Sequence, residues 1–218
     1  MRRIVPALAL AAAACSEATL PVRPDPYGFS IDCGRDGVGC AAGAGDIRLI
    51  FRWPRRSLPV RIWAETADLR VHAANGIRTW MDAGLYSEFA GGLVGDSLFA
   101  DVLIRVGAPE TIVRVDDAPL DCRGNTPLTI TSADTTMALP FHITVHPRIG
   151  ASPADIDGCF TIVVMHELGH ALGLFQHSTE PDDLMYFSPR VSVLSPRDRA
   201  TFNTLYHIEP TVRVPAGR

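Results

Sequence analysis

No basic block occurs anywhere in the 218 residues, and the formal net charge is −4. A nucleic-acid surface needs clustered cations to neutralise phosphates, so no nucleic-acid partner is expected. Lysine is missing as well: all 20 residues of the Lys+Arg class are arginine, a bias of composition to which no function attaches. Beyond the first residues no segment is apolar enough to cross a bilayer, which leaves no ordinary transmembrane helix. There is no internal repeat and no second hydrophobic unit, so the chain is a one-domain length once its ends are set aside. With 47% hydrophobic and 20% charged residues, that domain can bury a core of its own.

What is present at the N-terminus is an export signal. Arg2 and Arg3 form a positive region, and the apolar run Ile4–Ala14 follows, about half of the roughly 20 residues a membrane span takes. The run ends in "AAAC", Ala12–Cys15, which resembles a bacterial lipobox apart from Ala where Leu is usual. Cys15 is then the lipidation site and the first mature residue; plain secretion is the other reading of the same segment. The expected location is the cell envelope, as a lipoprotein, or the medium. Any membrane contact would be made through that anchor alone.

Four cysteines remain after Cys15: Cys33, Cys40, Cys122 and Cys159. An even number in an oxidising compartment points to disulfides, with three pairings open. Cys33–Cys40 with Cys122–Cys159 is preferred, because the first pair closes the short loop "CGRDGVGC".

Residues 16–45 are rich in Pro, Gly and Ala without periodicity and are expected to be a tether or N-terminal extension. A domain over residues 46–210 and a tail over 211–218 complete the chain. Alternation over Leu58–Glu65 predicts a strand, and Asp68–Ala83 a helix with Leu69, Ala73, Ile77, Trp80 and Met81 on one face, stopped by Gly84. Ala100–Gly107 and the proline-bounded Pro140–Pro147 are further strands. A helix is expected from near Cys159 to Gly173. The last helix opens at "SPRD", where Ser195 caps, Pro196 takes the first position and Asp198 closes a capping box; Phe202, Leu205 and Tyr206 form its buried face.

The chemistry lies in "HELGHALGLFQHS", His166–Ser178. Residues four apart share a helix face, so His166 and His170 can aim two imidazoles at one point. Zinc takes such nitrogens at ~2.0–2.1 Å and needs a third protein ligand beside an open position. Glu167 can stand next to a zinc-bound water without ligating the metal, accept its proton as it attacks a carbonyl, and pass the proton to the leaving amine. H-E-x-x-H alone also fits an amphipathic helix with two polar surface histidines.

More than those five residues match. "HELGHALGL" followed by "HS", with "DDLMY" at Asp182–Tyr186 and "LSPRDRATFNTLY" beyond it, resembles the metzincin zinc peptidases, most closely the matrixins. The resemblance runs over about Asp46–His207 and is specific from His166 onward. It implies an α+β fold of the zincin type, a twisted mixed sheet packed on two helices with a C-terminal helix below the zinc cleft. It implies one catalytic zinc and a Met-turn that sets Met185 beneath it. A structural calcium or second zinc site is not evident in the sequence. His142 and His146 share one strand face and could join a metal site, but as surface or cleft histidines they need no metal.

The family pattern fails at one place. Gln176 stands where the third histidine belongs, and His177 comes one residue late. A neutral amide oxygen is a poor partner for zinc beside two imidazoles. One extra residue in a short return loop costs only about 0.1–0.2 kcal/mol in closure entropy, against roughly 10 kcal/mol or more from zinc binding in structural peptides. His177 is therefore the expected third ligand, with Gln176, Asp182 and Asp183 as alternatives. Two further departures stand out. The run after the Met-turn is "YFSPRVSV", where matrixins carry a Pro-x-Tyr wall, and "DCGRDG" at Asp32–Gly37 lacks the pattern that flanks the family's inhibitory cysteine.

Together these residues lead to an exported zinc-dependent endopeptidase that hydrolyses peptide bonds through a zinc-activated water with Glu167 as general base. A monomer acting on polypeptide is expected, the substrate lying extended on an edge strand, for which Thr136–Phe141 is the candidate. The alternative is a noncatalytic zinc-bearing envelope module of the same fold; a hydrolase of small amides or wall peptides is a third.

Overall fold

A computed structural model describes residues 25–32, 48–112, 121–131 and 135–215. Cys15, Cys33 and Cys40, and with them the export signal and the first disulfide pairing, lie outside the described residues. The elements in chain order are β1 (Ile31–Asp32), β2 (Arg48–Leu49), β3 (Val60–Ala64), α1 (Ala67–Met81), β4 (Gly91–Leu93), β5 (Val102–Val106), β6 (Cys122–Asn125), β7 (Ile130–Thr131), β8 (Thr136–Met137), β9 (Phe141–Pro147), α2 (Pro153–Ala171) and α3 (Pro196–Tyr206).

The main sheet has five strands in the order β4-β3-β5-β9-β6. Four of them run parallel, and β6 closes one edge antiparallel to β9, Cys122 facing Pro147 and Asn125 facing Thr144. Along β9 the pleat buries Phe141, Ile143, Val145 and Pro147 and turns His142, Thr144 and His146 outward, the period-2 alternation of a sheet covered on one face. α1 and α2 cover that face and pack on each other, joined where the Trp80 indole donates to the Met165 carbonyl at 2.9 Å. This is the mixed α+β architecture expected from the sequence.

Thr66 caps α1 through the Leu69 amide, and Leu69, Ala73, Ile77 and Trp80 are buried as the spacing predicts. Met81 is not: it is 37% exposed, one residue and about 100° past Trp80 on the helix. α2 begins at Pro153, six residues before Cys159, because Ser152 caps it through the Asp155 amide with Pro153 in the first turn. "SPAD" at Ser152–Asp155 is the same start signal as "SPRD" in α3. There the capping box of Ser195 and Asp198 forms, and Phe202, Leu205 and Tyr206 are buried. The Phe202 ring lies 5.4 Å from that of Trp80, tilted 40° to it, which docks α3 under α1.

A disulfide joins Cys122 to Cys159, tying the edge strand β6 to α2. Thr136–Phe141 does not supply that edge: its first residues pair with β7 in a separate two-stranded sheet, and Phe141 enters the interior strand β9. The described part of the N-terminal extension, residues 25–32, packs on the domain. Tyr27 donates its hydroxyl to Asp198 at 2.7 Å, its amide donates to the Thr201 hydroxyl, and β1 pairs with β2. Among the described residues no helix is long and apolar enough to cross a membrane.

Candidate metal centre

α2 carries His166 and His170 one turn apart on the face turned toward the edge of the sheet. The helix ends at Ala171, two residues short of the expected Gly173, which instead takes the turn beyond the Leu172 cap; its φ of +108° is open to glycine and strained for any side chain. A Cβ there would also stand 2.1 Å from the Phe51 carbonyl oxygen. The chain then turns back, and His177 meets the two helical histidines. The Nε2 of His170 lies 3.2 Å from the Nε2 of His166 and 3.2 Å from that of His177. Among the described residues this is the one cluster of three metal-ligating groups.

The hydrogen bonds decide what those nitrogens are. His166 Nδ1 lies 2.8 Å from the Leu184 carbonyl and His170 Nδ1 2.6 Å from the Leu174 carbonyl. A carbonyl only accepts, so each Nδ1 carries the proton and each Nε2 presents a bare lone pair. Burial holds His166 well below the ordinary histidine range, lowers His170 to about 4 and lowers His177 as well, with mutual repulsion adding to the effect at the first two. At neutral pH the three imidazoles are thus neutral, and the bare Nε2 lone pairs of His166 and His170 face each other at 3.2 Å beside the Nε2 of His177, a repulsion that a cation between them would relieve. Tetrahedral zinc with ~2.0–2.1 Å bonds would set its nitrogens ~3.3 Å apart, and the two 3.2 Å separations fit it. The donors fit too: Nδ1–H bonded to a carbonyl is how ligating histidines are usually oriented.

Gln176 faces the other way. Its amide nitrogen donates to the Ser30 carbonyl at 2.5 Å, across the loop from the histidines. Asp183 is buried, but it accepts from the Ser178 and Ser195 hydroxyls, and Asp182 is outside the cluster. His142 and His146 sit on the outer face of β9, where His146 is beside Glu110 and the Ala108 carbonyl.

Glu167 is 5% exposed and lies beside the cluster. Its Oε2 accepts from the Thr126 hydroxyl at 2.6 Å. Desolvation raises its pKa to about 7, partly opposed by that hydrogen bond. β6 passes so close that a Cβ on Gly124 would stand 2.2 Å from Glu167 Oε1. Any side chain there would displace the Glu167 carboxylate.

Met185 is fully buried under the site, with its sulfur against Gly169 between the two helical histidines. Its loop is pinned from below: Asp198 accepts from the Leu184 amide at 2.8 Å and the Met185 amide at 3.3 Å as well as closing its own capping box. The Leu184 amide is thus fixed by Asp198 while its carbonyl fixes His166.

A cleft of about 290 Å³ opens beside His166, Glu167 and His177, between β6 and the segment Phe187–Pro189. Its apolar wall includes Val163 and the Cys122 end of the disulfide. Phe187, Ser188 and Pro189, from the run "YFSPRVSV", line the opposite side of the cleft. Thr126, Gly124 and Asp198's grip on the Met-turn had no signal in the motif. β6 in particular reads "CRGN", four residues with neither alternation nor β-branched side chains.

The family model of the matrixins matches residues 127–207, a span that contains α2, all three histidines, Met185 and α3. Comparison with curated proteins returns no match.

Proposed function

From the premise that this chain carries a matrixin-like catalytic domain of the zinc metallopeptidase type, we propose that it is an exported zinc-dependent endopeptidase. His166, His170 and His177 would hold the ion, and Glu167 would serve as general base. Bound there, zinc would supply a Lewis acid for the scissile carbonyl and acidify a water. The remaining work falls to the chain. Leu174 and Leu184 keep the imidazoles in the tautomer that ligates. Glu167, held by Thr126 and desolvated, is a carboxylate of raised basicity suited to taking a proton near neutral pH and returning it to the departing amine. The outer edge of β6 offers an extended polypeptide backbone hydrogen-bonding groups, and the adjacent cleft receives a substrate side chain.

The observation that carries this reading is the convergence of three histidine Nε2 atoms beside a buried carboxylate. A noncatalytic zinc-bearing module would need the histidines but not Glu167, nor a glycine on β6 and a threonine just beyond it fitted around that carboxylate. Export, with Cys15 lipidated or the chain freely secreted, belongs to the same proposal, as does action on polypeptide by a monomer. The test is cleavage of casein or gelatin by the mature protein, measured with zinc and with a chelator. Chelator-sensitive cleavage supports the peptidase. One bound zinc without cleavage of either protein favours the noncatalytic module.

A further inference from the structure

We infer that the N-terminal arm, residues 27–30, is a positioning clamp for the metal site, and that it acts through Gln176. The inference rests on the zinc reading above and concerns why the third histidine comes one residue late. Between the carbonyl that orients His170 and the ligand His177 stand only two residues, Phe175 and Gln176. The arm holds both. The Phe175 amide donates to the Phe29 carbonyl at 3.0 Å, and the Gln176 side chain donates to the Ser30 carbonyl at 2.5 Å. Gly28 makes the approach feasible, since a Cβ there would stand 2.6 Å from Gln176 Oε1.

The arm is itself anchored. Tyr27 bonds to Asp198 and Thr201 on α3, and Asp198 is the carboxylate that pins Leu184, whose carbonyl orients His166. One short segment therefore reaches, directly or through Asp198, the backbone that seats each helical imidazole and the loop that delivers the third. The residue in the family's ligand register is a glutamine because its amide is spent on the arm. The extra residue that displaces the histidine is what lets the side chain turn outward. Phe29, Ser30 and Gln176 are positioning residues: none of them touches the ion.

Orienting partners of ligating residues are commonly worth ~10–100-fold in metal affinity. The full chain should be titrated with zinc in competition with a chromophoric chelator, as wild type, Gly28→Val, Gln176→Leu and Ser30→Ala. Gly28→Val expels the glutamine amide and Gln176→Leu removes its donor, so each should weaken zinc by about tenfold. Ser30→Ala should match wild type, because Ser30 contributes only its carbonyl. Amide hydrogen exchange supplies a readout that needs no metal: in the first two variants Phe175 should exchange faster while α1 and β3 keep their protection. Zinc affinities within twofold of wild type in both variants would overturn the inference. If the wild-type chain takes up no zinc, the proposed function fails; the clamp then stands or falls on Phe175, and unchanged protection there would refute it.

Discussion

The Thr126 hydroxyl stands 2.6 Å from Glu167 Oε2 and donates to it. Thr126 follows β6 immediately, so the strand that edges the cleft also fixes the carboxylate at its floor. General-base catalysis supplies ~10²–10⁴-fold in rate, and a freely turning carboxylate would forfeit part of that. Thr126→Val keeps the shape without the hydroxyl and should lower kcat on the order of tenfold, leaving KM and zinc content near wild type. Thr126→Ser should restore the rate. Steady-state kinetics on a fluorogenic peptide checks this, and equal kcat in the valine variant would remove Thr126 from the account.

Gly124 is a steric counterpart of the same contact. A valine there would have its Cβ 2.2 Å from Glu167 Oε1 and 2.4 Å from its Cγ, so the carboxylate has to leave its place beside the histidines. Gly124→Val should cost at least 100-fold in kcat/KM, roughly what losing the base entirely would cost. Zinc should remain bound, since no ligand moves by necessity. Metal analysis alongside the kinetics separates this from unfolding.

His177→Ala should remove a ligand where the Gln176 variant only loosens one. Zinc affinity should fall by several orders of magnitude and hydrolysis should vanish. X-ray absorption of the wild type should give three nitrogen ligands and one further light atom at ~2.0–2.1 Å. A His177 variant that binds zinc as wild type does would return the third position to Gln176 or an acid.

How far the site could be read from sequence follows from where its information lies. His166, Glu167 and His170 are spaced by helical geometry, so their convergence is local and visible in five residues. His177 could be preferred over Gln176 on ligand chemistry alone; the partner that turns Gln176 outward, Ser30, lies 146 residues away. The same distance hides Tyr27's bond to Asp198, and composition makes residues 25–32 look like a tether. α1, β3, β5 and β9 announce themselves by periodicity. β6 does not, because a four-residue edge strand with a glycine and an exposed arginine carries no alternating pattern to detect. The start of α2 was legible in "SPAD" but is outweighed in a reading that begins from the histidines.

Acidity should act on the metal-free chain in two opposed ways. His166, His170 and His177 have lowered pKa values in the fold. Their contribution to stability is therefore present above the unfolded value of ~6.5 and is lost as pH falls. His170 alone, lowered from 6.5 to about 4, accounts for about 3 kcal/mol by pH 4. Glu167 works in reverse: raised from 4.5 to about 7, it favours the fold below its unfolded value and costs stability as pH rises through 7. In chelator, urea denaturation should thus find Glu167→Gln more stable than wild type at pH 8, by up to about 3 kcal/mol, with the gap closing toward pH 4.5. A gap independent of pH would mean that Glu167 is ionised in the fold without penalty.

The Cys122–Cys159 bond closes a separation of 37 residues, for which loop entropy gives about 4 kcal/mol. Cys122→Ala with Cys159→Ala should lower stability on that scale in a denaturant titration. Peptide mapping without reduction should recover the two half-cystines joined in the wild type, and free thiols at both positions would contradict it.

The central claim is that one zinc held by three histidines works with Glu167 as its base. Zinc content and peptide hydrolysis measured together on Glu167→Ala test it most directly. The account predicts about one zinc per chain, as in the wild type, and a loss of most of the hydrolysis, on the order of 10²-fold or more. Hydrolysis within a few-fold of wild type, with the metal still bound, would contradict it.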